Sequence, residues 1–81
     1  MPAWFLYLVR CKNGSLYTGI TTDVNARVDA HNAGKGAKYT RAFGPVTLVY
    51  AKKMKSSMEA RKKEAAIKKM SKSEKERVVL K

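Results

Sequence analysis

The sequence predicts a single domain of mixed strands and helices, and three observations predict it. Two short apolar runs, Phe5-Leu6-Tyr7-Leu8-Val9 and Leu16-Tyr17-Thr18-Gly19-Ile20, flank Asn13-Gly14, a strong hairpin signal. Ser56-Ser57-Met58-Glu59 and Ser71-Lys72-Ser73-Glu74 each set a serine at a helix N-cap with a glutamate three residues on, the capping-box pattern. Between them, Gly44-Pro45 closes one segment and Val46-Thr47-Leu48-Val49-Tyr50-Ala51 opens a third strand. Over residues 1–81 this gives strands at about 4–11, 15–20 and 46–52 and helices at about 23–33, 37–42, 57–70 and 72–80. So short a chain buries only a small core, and its stability is marginal.

Hairpin register decides whether Tyr7 and Tyr17 can act together. A two-residue loop at Asn13-Gly14 sets Tyr7 opposite Ile20, on the face away from Tyr17. A three-residue loop, Lys12-Asn13-Gly14 with Gly14 left-handed as a bulge, sets Tyr7 opposite Gly19 and Val9 opposite Tyr17, with both phenols on one face. Alternation does not choose, because both faces of both runs are largely apolar. The bulged register is the expectation, since it alone gathers Tyr7, Tyr17 and Gly19 into one site. A glycine inside a strand marks close approach by another group. The plainer alternative is two half-buried tyrosines with their tips in water.

Asp23 is a good N-cap for the first helix and Gly34 supplies its stop. At helical spacing Val24 and Val28 form one apolar edge and Ala26, Ala30 and Ala33 another, with Arg27 and His31 between them and Asn25, Asp29 and Asn32 opposite. An arginine and the only histidine therefore point to the side that should meet the sheet. A buried guanidinium needs paired charge, or it opens into a cleft where an anion can reach it. The alternatives are a snorkelling Arg27 and a His31 that satisfies the helix C-terminus.

Gly34 to Phe43 is small and basic, a loop with one or two helical turns, where glycines could let backbone N–H groups approach phosphate beside Lys35, Lys38 and Arg41. The spacing is not that of a Walker loop. Among the carboxylates, Asp23, Glu59 and Glu74 are caps, Asp29 is solvated, and Glu76 sits in the first turn of the last helix, where negative charge is favourable. Only Glu64 is left, on the side of Ala60 and Ile67 in a run of Arg61, Lys62, Lys63 and Lys68. Its bland reading is an exposed i,i+4 pair with Lys68.

Charge is the loudest compositional signal, with 18 Lys and Arg against 6 Asp and Glu, a net +12. Only Arg10, Lys12 and Arg27 precede Lys35, so the other 15 basic residues lie from there onward. Such a field attracts polyanions through counterion release, and nucleic acid is the expected partner. The basic helices lack an apolar face that could enter lipid, so no membrane partner is expected. The lone Cys11 has no partner for a disulfide, Cys/His metal spacings are missing, and no leader pattern precedes the first strand; the expectation is a reduced, cytoplasmic protein.

These residues resemble the GIY-YIG nuclease superfamily, and more closely its small stand-alone bacterial members. Phe5-Leu6-Tyr7 stands where that family has its first motif and Tyr17-Thr18-Gly19 where it has its second. Arg27-x-x-x-His31 looks like its helix pair, and Glu64 followed by Ile67-Lys68 looks like its metal-binding helix. The likeness runs from residue 4 to about 70 and includes His31-Asn32-Ala33-Gly34-Lys35-Gly36-Ala37-Lys38. Phe5-Leu6 replaces the Gly-Ile of the first motif, Thr18 replaces the isoleucine of the second, and no asparagine follows Glu64.

The resemblance implies an α+β fold, a three-stranded antiparallel sheet flanked by helices, and divalent-metal phosphodiester hydrolysis, with DNA favoured over RNA. Glu64 would hold one Mg²⁺ or Mn²⁺, which needs few protein carboxylates. Arg27 would bind a phosphate oxygen. Tyr7, Tyr17 or His31 would orient or deprotonate the attacking water, with Tyr7 slightly preferred. Gly19, Lys35, Lys38, Tyr39, Arg41 and Lys68 are the candidate nucleic-acid contacts, and Trp4 and Tyr39 would stack on bases if exposed. No small-molecule cofactor is expected, and oligomeric state is not legible. Without a separate sequence-reading domain, cleavage should be structure-selective or weakly sequence-specific. The rival classes are a catalytically silent nucleic-acid-binding module and a basic accessory subunit of a larger complex.

Overall fold

The computed structural model describes residues 3–80. In chain order the elements are β1 (Trp4–Arg10), β2 (Leu16–Thr21), α1 (Val24–Asn32), α2 (Lys38–Phe43), β3 (Thr47–Met54), α3 (Ser57–Lys68) and α4 (Lys72–Leu80). The strands form an α+β fold's antiparallel sheet in the order β2-β1-β3, with β1 in the middle.

The hairpin takes the bulged register. Tyr7 lies opposite Gly19 and Val9 opposite Tyr17. Cys11 N–H donates to Ser15 O at 2.8 Å and Gly14 N–H to Cys11 O at 2.9 Å, which closes a loop of Lys12, Asn13 and Gly14. Gly14 holds φ +87°, a conformation that side chains with a Cβ resist. β1 therefore stops at Arg10 and Cys11 lies just past it, while β3 runs beyond its expected end to pair Met54 with Trp4.

Alternation along β1 divides the core. Leu6 and Leu8 join Leu16, Met54, Ala60 and Ile67 on the face covered by α3, with Trp4, Ile20, Met70, Val78 and Val79 packed around them. Tyr7 and Val9 join Cys11 and Val46 on the other face, with Tyr17 and Val28 against them. Each fully buried aliphatic side chain contributes roughly 1.5–3 kcal/mol, so the first face carries most of the apolar stabilisation. Trp4 is half-buried and packs against that core.

Helix ends follow the sequence signals with two refinements. Asp23 Oδ1 accepts from Ala26 N–H at 3.0 Å, and the Ser71–Glu74 box is reciprocal, with both bonds at 3.1–3.3 Å. Ser56 caps Glu59 N–H, but the Glu59 carboxylate reaches back to Lys55 N–H instead of to the cap residue. α3 ends at Lys68, short of the expected Met70, whose N–H folds back on Ile67 O at 3.0 Å.

Where α1 ends, Gly34 N–H donates to His31 O and Lys35 N–H to Ala30 O, the paired bonds of a Schellman motif around a left-handed glycine. The Gly34 and Lys35 N–H groups are thus taken up by the helix end and are not free to meet phosphate. Asn32, expected on the solvated side, accepts from Val46 N–H at 2.7 Å and donates to Val46 O at 3.1 Å, fastening α1 to the approach of β3. Ala26 and Ala33, read as a second apolar edge, are exposed.

Candidate active site

The sheet face that carries Tyr7 and Tyr17 meets the side of α1 that carries Arg27 and His31. Tyr7 is 1 % exposed and His31 1 %, while Tyr17 and Arg27 are half-buried around them. Gly19 makes the arrangement possible, because a Cβ there would stand 2.6 Å from Tyr7 Cζ. Gly36 does the same for His31, since a Cβ would meet its Cγ at 2.8 Å and its Cα at 2.9 Å. The group that approaches Gly19 is therefore Tyr7's own ring. Gly19 serves the interior and is buried, a correction to its reading as a nucleic-acid contact.

One hydrogen-bonded chain runs through this face, and its direction is fixed at one end. Thr40 Oγ1 donates to Ala37 O at 2.9 Å, because a carbonyl can only accept. With its one proton committed, Thr40 Oγ1 accepts from His31 Nδ1 at 2.6 Å. Nε2 is then the unprotonated nitrogen, and Tyr7 O–H donates to it at 2.8 Å. Burial, then the Arg27 charge, push the His31 pKa below its ordinary value and keep the ring neutral. Burial raises the Tyr7 phenol, and the Arg27 guanidinium beside it opposes that rise. Tyr17 and, more weakly, Glu64 add to that rise by charge.

His31 thus has both nitrogens engaged inside the protein. It is buried, and its ring bonds to Tyr7 and Thr40 rather than to the helix C-terminus. Tyr17 reaches the same histidine edge-on, with ring centroids 5.4 Å apart, and stacks on Tyr39 at 6.3 Å. Tyr39 is exposed and bonded to Ser15 Oγ at 2.6 Å.

Glu64, on α3, is half-buried, and its Oε2 lies 3.4 Å from Lys68 Nζ. The i,i+4 pair is present, and the carboxylate keeps 23 % of its side chain open. Among the described residues no three His, Cys, Asp or Glu side chains gather into a metal cage. A lone hard oxygen donor fits Mg²⁺ or Mn²⁺, which fill their shells with water and phosphate, and does not fit a structural zinc. Lys68 is more than half exposed and free to swing aside.

Of the remaining candidates, Lys35, Lys38 and Arg41 are exposed on the α1–α2 loop and α2. Sequence reasoning missed Thr40, whose only signal was a hydroxyl one helical turn past Ala37. It also missed Glu76, explained there by the helix dipole alone. Glu76 forms a two-pronged pair with Arg10, at 2.9 and 2.6 Å, which ties α4 to the hairpin and holds the carboxyl below its ordinary pKa.

An α+β protein whose sheet and first helix bring two tyrosines, an arginine and a histidine together, with a lone glutamate on α3, on a strongly basic chain has the layout of a nucleic-acid-processing domain. Residues 3–77 match the model of the GIY-YIG catalytic domain, and the chain belongs to that family. It is 49 % identical over 79 residues to a UPF0213 protein of Desulfotalea psychrophila, spanning 96 % of this chain and 72 % of that one. A UPF0213 protein of Staphylococcus haemolyticus is 48 % identical, over 98 % of this chain and 96 % of its own.

Two solution NMR structures are similar. The UPF0213 protein BH0048 from Bacillus halodurans has 45 % identity and a TM-score of 0.62, covering 95 % of this chain and 82 % of that one. The protein EF2693 from E. faecalis has 38 % identity and a TM-score of 0.66, covering 98 % and 84 %. Family members are generally endonucleases that use divalent metal ions, which points to nuclease activity on DNA. Among the described residues no helix is long and apolar enough to cross a membrane.

Proposed function

We propose that the protein is a metal-dependent endonuclease that hydrolyses DNA phosphodiester bonds, structure-selective or weakly sequence-specific, acting in repair or DNA processing in the cytoplasm. The observation that carries this reading is the directed chain Tyr7–His31–Thr40–Ala37 beside Arg27. A free phenol, with a pKa near about 10, is a poor base at neutral pH. A phenol that already donates to a neutral imidazole needs no prior ionisation. As the water attacks phosphorus, Tyr7 Oη takes its proton while the phenol's own proton passes to His31 Nε2.

Tyr7 is covered, so the water reaches it past Tyr17 and Arg27, and Tyr17 orients it. Arg27 holds a non-bridging phosphate oxygen, where charge builds in the transition state. Glu64 would hold a Mg²⁺ or Mn²⁺ ion, which when bound supplies Lewis-acid stabilisation of the phosphate and leaving oxygen.

Cleavage assays on single-stranded, branched and duplex DNA with Mg²⁺ or Mn²⁺ test this. Wild type should cut, Glu64→Gln should not, and Tyr7→Phe should lose about a hundredfold or more. Both variants should still bind DNA. Binding without cutting by wild type on every substrate would instead make the protein a silent nucleic-acid-binding module. Cutting restored only by a second protein would make it an accessory subunit.

A further inference from the structure

Beyond Tyr17, whose ring meets His31 edge-on, a cleft of about 410 Å³ opens along β2 between α2 and α4. Thr18, Tyr17 and Tyr39 contribute to its wall, and Lys68, Lys72 and Lys75 to its rim. Thr18 is 3 % exposed, and its Oγ1 is the only buried side-chain polar atom among the described residues with no hydrogen-bond partner. Native interiors rarely tolerate such a group without a reason. Where the family motif has isoleucine, this chain therefore keeps a hydroxyl that its own fold does not use.

Other features of the cleft suit a ligand rather than a packed surface. Tyr39 is held in place by Ser15 Oγ and Asn13 Nδ2, packs between Tyr17 and Phe43, and as a residue stays 41 % exposed. Lys72 and Lys75 form no ion pair among the described residues, and Lys75 lies close enough to draw the Tyr39 phenol's pKa down, behind the larger effect of the Asn13 and Ser15 hydrogen bonds. α4 is fixed against the hairpin by Arg10, which grips Glu76 and also donates to Gly14 O at 3.0 Å. The two α4 lysines are thereby presented by a docked helix.

We propose that this cleft binds one nucleotide of the DNA strand beside the scissile bond, with its phosphate on Lys68, Lys72 and Lys75, its base against Tyr39 and a polar edge on the Thr18 hydroxyl. The proposal rests on the nuclease reading for its substrate and adds a subsite to it. Aromatic faces accept any base, so the subsite favours an unstacked nucleotide over a paired one.

The test is an NMR titration of the isotopically labelled full chain with thymidine 5′-monophosphate, with inorganic phosphate and with a short single-stranded oligonucleotide. The nucleotide should shift the backbone amides of Thr18, Tyr39, Lys72 and Lys75 and bind more tightly than phosphate. Thr18→Val should weaken nucleotide binding about fivefold, the loss of one neutral hydrogen bond, without lowering the melting temperature. The pair Lys72→Gln with Lys75→Gln should reduce the salt slope of oligonucleotide binding by about one to two.

Equal response to phosphate and nucleotide would overturn the proposal by reducing the cleft to an anion patch. So would shifts confined to Arg27 and Glu64, or a Thr18→Val protein that melts higher and binds as before. Wild type that binds the nucleotide here but cuts no DNA would overturn the nuclease reading and leave the subsite standing. Normal cutting with unchanged binding in all three substitutions would do the reverse.

Discussion

The two faces of β1 use the same strand for opposite ends. On the even-numbered face Leu6 and Leu8 lie in an aliphatic cluster whose members are interchangeable in kind and valuable for the water they exclude. On the odd-numbered face Tyr7 shares its space with His31 and Thr40, both buried and both polar, and its value lies in which atom donates to which. An apolar face tolerates approximate packing, whereas a buried polar chain is costly wherever one link is missing. Stability and chemistry are thus separated by one residue of register, which is why the bulged turn at Gly14 matters more than its size suggests.

The largest expected effect breaks the first face alone. Leu8 is fully buried at the centre of the middle strand, and Leu8→Ala removes its packing on α3. The loss should be about 2–5 kcal/mol, a large share of a typical domain's roughly 5–15. Urea denaturation checks it. A variant that melts early but, at low temperature, keeps wild-type DNA cleavage would confirm that the two faces divide the labour. A variant with lost activity and unchanged stability would contradict it.

Gly19→Ala attacks the second face through shape. The added methyl would stand 2.6–2.8 Å from Cζ and Cε2 of the Tyr7 ring, which is itself walled in. Tyr7 must shift and its bond to His31 must lengthen, at a cost of about 1–3 kcal/mol from overpacking. Cleavage should fall out of proportion to that destabilisation. Full activity in this variant would show that Tyr7's position against His31 is not what the chemistry requires.

How much of this was legible follows the same division. Strand positions, caps and the fact that Arg27 and His31 face the sheet were all readable, because local periodicity and capping chemistry set them. The bulged register was the preferred of two readings, since apolar runs on both faces leave register to the turn. What escaped were pairings across long separations: Thr40 with His31, Asn32 with Val46, Glu76 with Arg10. Each partner had a sufficient local explanation, a loop hydroxyl, a solvated asparagine, a first-turn glutamate, and nothing local announces a second use. The loop glycines misled for a related reason. Gly34 and Gly36 looked suited to phosphate, but one closes α1 and the other makes room for His31.

The smallest effect, and the most specific to the polar face, is in pH. His31 folds as a neutral imidazole with its pKa lowered, first by burial and then by Arg27, against about 6.5 in the unfolded chain. Below that value the unfolded state binds the proton that the folded state refuses, so stability falls as pH falls, by at most about 1.4 kcal/mol per pH unit for one group. Above it His31 adds no slope. Two surface carboxyls held below their ordinary pKa, Glu74 by Ser71 and Glu76 by Arg10, lose their contribution only at lower pH, as they protonate. The interval between about pH 5 and 6.5 therefore reports on His31 with little interference. Melting temperatures of wild type should decline across it while those of His31→Gln stay level, and both should then decline together below. Parallel curves from neutral pH downward would mean that His31 takes up its proton in place, and the neutral acceptor that Tyr7 requires would not exist.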